Sequence, residues 1–145
     1  MRFAGWRRVA VTAAVVAATP FVVAGSCRPG VAKACDVRHE GQRVEAGQVV
    51  GMLRAVCDPP PQSHTLRAEL EVRVADTWIA RGRAAVVSVI PDATGFPVEV
   101  RAECREGTYR VHVVVEGTGP APSAVPFRWE DTGPEHTYAL VDCAE

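Results

Sequence analysis

The sequence predicts an all-β domain, an antiparallel β-sandwich of about seven or eight strands preceded by a signal segment. Three observations carry this. Alternation of apolar and charged residues with period two recurs along most of the chain. Turn residues interrupt it about every 8 to 12 positions. After the apolar N-terminal run, no stretch of about 12 or more residues shows helical spacing.

The elements follow in chain order. Met1 to Arg8 is a cationic start holding Arg2, Arg7 and Arg8. Val9 to Gly25 is apolar, interrupted only by Thr12, Thr19 and Pro20. Together they read as the n-region and h-region of a secretory signal over residues 1–26. A run of about 17 residues containing a proline is at the short limit for a permanent membrane span. Val23-Ala24-Gly25-Ser26-Cys27 has the form of a bacterial lipobox, which would make Cys27 a lipidated first residue and tether the domain to the outer face of a membrane. Ala32-Lys33-Ala34 offers ordinary cleavage as late as residue 34 and a released product. Either processing leaves four of the five cysteines, an even number suited to an oxidising compartment. Residues 35–145 form a single domain, small enough to gain from covalent staples.

Val37 to Val44 reads as a first strand and Val49 to Cys57 as a second. Leu66, Ala68, Leu70, Val72 and Val74 alternate with Arg67, Glu69, Glu71 and Arg73, giving one apolar and one charged face. Ala84 to Ile90 is a β-branched run ending at Pro91. Phe96 to Cys104, Tyr109 to Glu116 and Val125 to Glu130 alternate in the same way, and Tyr138 to Cys143 reads as the last strand. Asp58-Pro59-Pro60-Pro61, Arg81-Gly82, Pro91 to Gly95, Gly117 to Pro120 and Asp131 to Pro134 supply the turns. Glu106-Gly107 reads as a tight hairpin between its two neighbours. This order fits an immunoglobulin- or fibronectin-like arrangement, with a small closed barrel as the competing architecture.

Cys57 and Cys104 both fall in the buried phase of their strands, about 47 residues apart. They are expected to pair across the core. Cys35 and Cys143, near the two ends of the domain, are expected to pair with each other. Four cysteines allow three pairings, so spacing leaves the choice open. A cysteine closing an early strand (Cys57), a mid-chain Trp78, the run Ala102-Glu103-Cys104-Arg105-Glu106-Gly107-Thr108-Tyr109-Arg110 and a Gly-Thr-Gly-Pro loop occur in that order. The segment from Gly51 to Gly119 thereby resembles small exported actinobacterial β-sandwich proteins of unknown function. That resemblance implies a fold and no activity.

Composition and charge narrow the function. One lysine stands against 15 arginines and asparagine is absent, a bias that cautions against reading function into each arginine. Without the three N-terminal arginines, 13 basic residues face 17 acidic ones. A mildly acidic domain without a basic patch is a poor candidate for binding nucleic acid, and no such partner is expected. His39, His64, His112 and His136 are scattered, with no Cys-x-x-Cys or His-x-x-x-His, so no metal or other cofactor is expected. No serine lies in Gly-x-Ser-x-Gly, and Ser63-His64 is adjacency rather than a nucleophile–base pair. The carboxylates at Glu69, Glu71, Glu99 and Glu103 alternate with arginines and read as cross-strand ion pairs. Trp78 and Trp129, the latter in one phase with Phe127, read as core rather than as an exposed binding surface. No catalytic residue is assigned. The expected role is a non-enzymatic extracellular or cell-surface binding or structural module, with an unidentified extracellular protein or surface component as partner. The alternative is a secreted inhibitor of an extracellular enzyme, acting through the rigid Cys57 to His64 loop.

Overall fold

The computed structural model describes residues 35–144; the signal segment, its cleavage sites and Cys27 lie outside the described residues. Eight strands follow one another: β1 (Cys35–Glu45), β2 (Gln48–Cys57), β3 (Ser63–Val74), β4 (Thr77–Val87), β5 (Phe96–Glu103), β6 (Gly107–Thr118), β7 (Pro126–Thr132) and β8 (His136–Tyr138). A single 3₁₀ turn, Asp142–Ala144, ends the described chain. The fold is all-β, and every strand pairing is antiparallel.

The alternation in the sequence is the reason these segments are strands. In β3, Leu66, Ala68, Leu70 and Val72 are buried while Arg67 and Arg73 face water. In β6, Tyr109, Val111, Val113 and Val115 are buried, and His112 and Glu116 lie on the opposite face. Each fully buried Val or Leu contributes about 1.5–3 kcal/mol relative to exposure. A one-residue slip would turn either apolar row to water, so the register is strongly specified.

The strands run β1-β2-β5-β4-β3-β6-β7, with β8 also on β6, in a sheet that curls into a half-barrel. The curl has a visible seam. β4 and β5 touch through one bridge, Arg83 to Arg101. Beside it Gly82 adopts φ +73°, pressed against the Arg101 carbonyl and Ala102, where no side chain fits. Arg81-Gly82 is therefore not a turn but a close approach inside β4, and the β3–β4 register shifts opposite it, between Ala68 and Leu70. The turn itself is Ala75-Asp76, which lets β4 begin at Thr77 rather than Ala84.

The two halves face each other across one apolar interior drawn from β1, β2, β3, β5 and β6. Gly51 of β2 marks the contact: a Cβ there would run into Val111 of β6 and crowd Val100 and Leu70. On the far side, the Gln42 side chain of β1 donates to the Pro134 carbonyl at 3.1 Å, and His39 lies 3.4 Å from Asp131.

Two further expectations are corrected. Glu106-Gly107 does not join a hairpin, because β5 pairs with β2 and β6 pairs with β3, β7 and β8. The apolar rows of β5 and β6 belong to opposite halves, so Cys104 to Glu106 must cross between them. Buried Tyr109 pins this crossing: its hydroxyl donates to the Arg105 carbonyl at 3.1 Å and accepts from the Arg105 N–H at 3.2 Å. The last strand is His136–Tyr138, not Tyr138 to Cys143. After it the Asp142 carboxylate accepts the Ala139 N–H at 2.7 Å, and the resulting turn carries Cys143 back toward β5.

Candidate functional site

All four expected cysteines are oxidised, but not in the expected pairs. The bridges are Cys35–Cys57 and Cys104–Cys143. The β1–β2 hairpin is the reason for the first. Its ladder runs from Glu45 opposite Gln48 to Cys35 opposite Cys57, which brings the two Cα atoms to 4.1 Å. The β2–β5 register excludes a Cys57–Cys104 bridge. Gln48 opposes Glu103, so Cys104 lies beside the start of β2 and Cys57 at its end. At a rise of about 3.3 Å per residue, the two are roughly 30 Å apart. Facing the core was the right inference for both cysteines; facing each other was not.

The Cys35–Cys57 end of the fold gathers three loops, residues 58–62, 88–95 and 119–125. Backbone bonds tie them together. Cys57 N–H donates to the Asp92 carbonyl at 3.0 Å, and Gln62 N–H donates to the Thr118 carbonyl at 2.9 Å. His64 closes the floor. It is 4% exposed, and Nδ1 donates to the Val89 carbonyl at 3.1 Å. Because a carbonyl only accepts, the ring must carry its proton on Nδ1. Burial lowers the His64 pKa from its ordinary value, against the smaller opposing effect of the Val89 bond, and Nε2 is left without a hydrogen-bond partner. The reading of His64 as a solvated histidine is thus corrected: β3 is in its inward phase there. Asp92 organises the second loop. Its carboxylate accepts the Thr94 hydroxyl and the Thr94 and Gly95 N–H groups, which hold it below the usual carboxylate range.

Above this floor the loops expose apolar groups among polar ones such as Asp58, Gln62 and Asp92. Pro59 and Pro60 are exposed, and Val89, Ile90 and Val125 are each nearly half exposed. The Cys57 to His64 segment singled out from sequence is one wall of this end. Sequence missed the other two walls, because their proximity follows from strand order alone. The signal available was the pair of β-branched residues Val89 and Ile90 just before Pro91, in a stretch that reads as the end of a strand.

The outer face of β3, β6 and β7 is different in kind. Arg110 contacts Glu71 at 2.7 Å, Arg67 contacts Glu69 at 3.0 Å, and Arg128 contacts Glu116 at 3.1 Å. The Arg110 guanidinium stacks on Trp78, 4.2 Å from its ring. Trp78 is thereby a half-buried outer-face residue and not core, whereas Phe127 and Trp129 pack against the interior. His112, Arg67, Arg128 and Glu130 line a groove along this face.

Two groups of metal-ligating side chains occur among the described residues: Cys35, Cys57 and His64, and Glu69, Glu71 and His112. In the first the sulfurs are joined to each other, so neither is the thiolate that a metal requires. Sequence gave no sign of the second, since 41 positions separate Glu71 from His112.

Comparison of the chain with protein-family models, with curated proteins and with solved structures found no match.

Proposed function

We propose that this chain is an exported, non-enzymatic binding module whose recognition surface is the loop end formed by residues 58–62, 88–95 and 119–125. The observation that carries the reading is the exposure of Val89, Ile90 and Val125 on loops cross-tied by backbone hydrogen bonds and stapled at their base by Cys35–Cys57. Exposed apolar groups held rigidly lose little entropy on binding and gain from covering, which favours protein partners. Two disulfides fit an oxidising compartment, in line with a signal segment over residues 1–26 and with either release or a lipid tether at Cys27.

We assign the scaffold to the immunoglobulin- or fibronectin-like sandwiches. The strand order supports this: β1-β2-β5 on one side and β4-β3-β6-β7 on the other is the order of the fibronectin type. So does Tyr109, placed early in β6 with its hydroxyl bonded four residues back, the arrangement known as a tyrosine corner. In that scaffold the end loops are the usual sites of recognition.

A photo-crosslinker at Val125, compared with one at Asp76 on the opposite end, tests the function on the producing cells. A discrete protein adduct from Val125 and none from Asp76 is the expected result. Equal labelling from both, or none from either, overturns the loop-end reading. The inhibitor alternative is favoured by one feature: the exposed 58–60 tip is anchored on both sides, at Cys57 and Gln62. It requires the Val125 adduct to be a secreted enzyme that the protein inhibits.

A further inference from the structure

The outer face of β3 and β6 carries a cluster independent of the loop end. Register brings it together: Glu69 lies opposite His112, and Glu71 lies opposite Arg110 on the same face. His112 Nδ1 is 3.7 Å from Oε1 of Glu69 and 3.7 Å from Oε1 of Glu71. One ligand atom from each of the three residues lies within 4.8 Å of the other two. A separation of 3.7 Å is too long for a hydrogen bond. It is close to the spacing that three donors adopt around one cation, roughly 3.0–3.6 Å for bonds of about 2.1 Å.

The far side of both carboxylates is already engaged, and that of His112 faces a carboxylate. Glu69 Oε2 receives Arg67 at 3.0 Å, and Glu71 Oε2 receives Arg110 at 2.7 Å. His112 Nε2 faces Glu130 Oε2 at 3.5 Å. Outer partners of this kind orient metal ligands, a carboxylate behind a histidine among them. The side chains are only 19%, 12% and 20% exposed, so two carboxylate oxygens and an imidazole nitrogen lie close together on partly covered side chains. A lattice of surface ion pairs accounts for the outer oxygens. The three inner donors stand within 4.8 Å of one another with no hydrogen bond between them.

We infer that Glu69, Glu71 and His112 form a binding site for a divalent transition-metal cation, with positions left open toward solvent. One nitrogen and two oxygens are a donor set suited to Zn²⁺ or Mn²⁺. The site does not rest on the loop-end reading, and either can fail alone.

The test uses the oxidised protein, stripped with chelator and titrated with Zn²⁺ alone by calorimetry and by NMR of the histidine ring nitrogens. The expected result is one Zn²⁺ per chain, with the His112 Nδ1 resonance shifting and those of His39, His64 and His136 unmoved. Glu69→Gln with Glu71→Gln should weaken binding at least tenfold. Glu130→Gln should weaken it about tenfold without abolishing it. If the double variant does not fold, the resonances of the unaltered protein still decide. No binding up to millimolar Zn²⁺, or binding that moves another histidine and survives the double substitution, overturns the site.

Discussion

The disulfide pairing offers the sharpest test of the fold. Cys35 and Cys57 close a loop of 22 residues, and Cys104 and Cys143 close one of 39. By loop-closure entropy these bridges stabilise the folded chain by about 3 and about 4 kcal/mol. Both are large against the 5–15 kcal/mol typical of a domain. Cys35→Ala and Cys57→Ala should therefore each cost about 3 kcal/mol, plus a little packing, since both side chains are buried. The double substitution should cost scarcely more than either single one, because the bridge is lost only once. Cys57→Ala with Cys104→Ala should instead be additive, at about 7 kcal/mol, since two bridges are lost. Urea unfolding at constant slope measures the coupling, and a peptide map without reduction reads the connectivity directly. Strong coupling between Cys57 and Cys104, with additivity between Cys35 and Cys57, would refute the β1–β2 and β2–β5 registers together.

Two further outcomes follow from buried polar groups. Tyr109→Phe keeps the ring in place but deletes both bonds to the Arg105 backbone. Because Arg105 is exposed, water can replace part of the loss, so the expected cost is about 1–2 kcal/mol; an unchanged urea midpoint would show that the crossing is held by something else. His64 has a folded pKa below its unfolded value, so below that unfolded value the unfolded chain binds the extra proton. Its contribution is fully present above about pH 6.5 and is lost as pH falls from there toward the depressed folded pKa. Urea midpoints between pH 7.5 and 5 should fall more steeply for the unaltered protein than for His64→Leu, and parallel profiles would argue that His64 is not buried neutral.

Local chemistry determined a good deal of this protein. The alternation in Leu66 to Val74 and in Tyr109 to Glu116 identified β3 and β6 and their buried faces, since a period of two is written in adjacent residues. The same patterning placed Cys57 and Cys104 in the interior, and the even count of four in an exported chain put the domain cysteines in bridges. Partnership was decided elsewhere. The hairpin expected at Glu106-Gly107 failed because two strong neighbouring strands can pair with each other or face each other, and only competition among all eight strands settles which. Cys57 and Cys104 separated for the same reason: antiparallel register with β5 put them at opposite ends of β2. Arg81-Gly82 looked like a turn because glycine permits turns, but it also permits the contact with Arg101 that lets the sheet curl. The loop end and the Glu69, Glu71 and His112 cluster belong to the tertiary structure alone. Each joins residues whose nearness depends on which strands lie side by side, and no single strand carries that information.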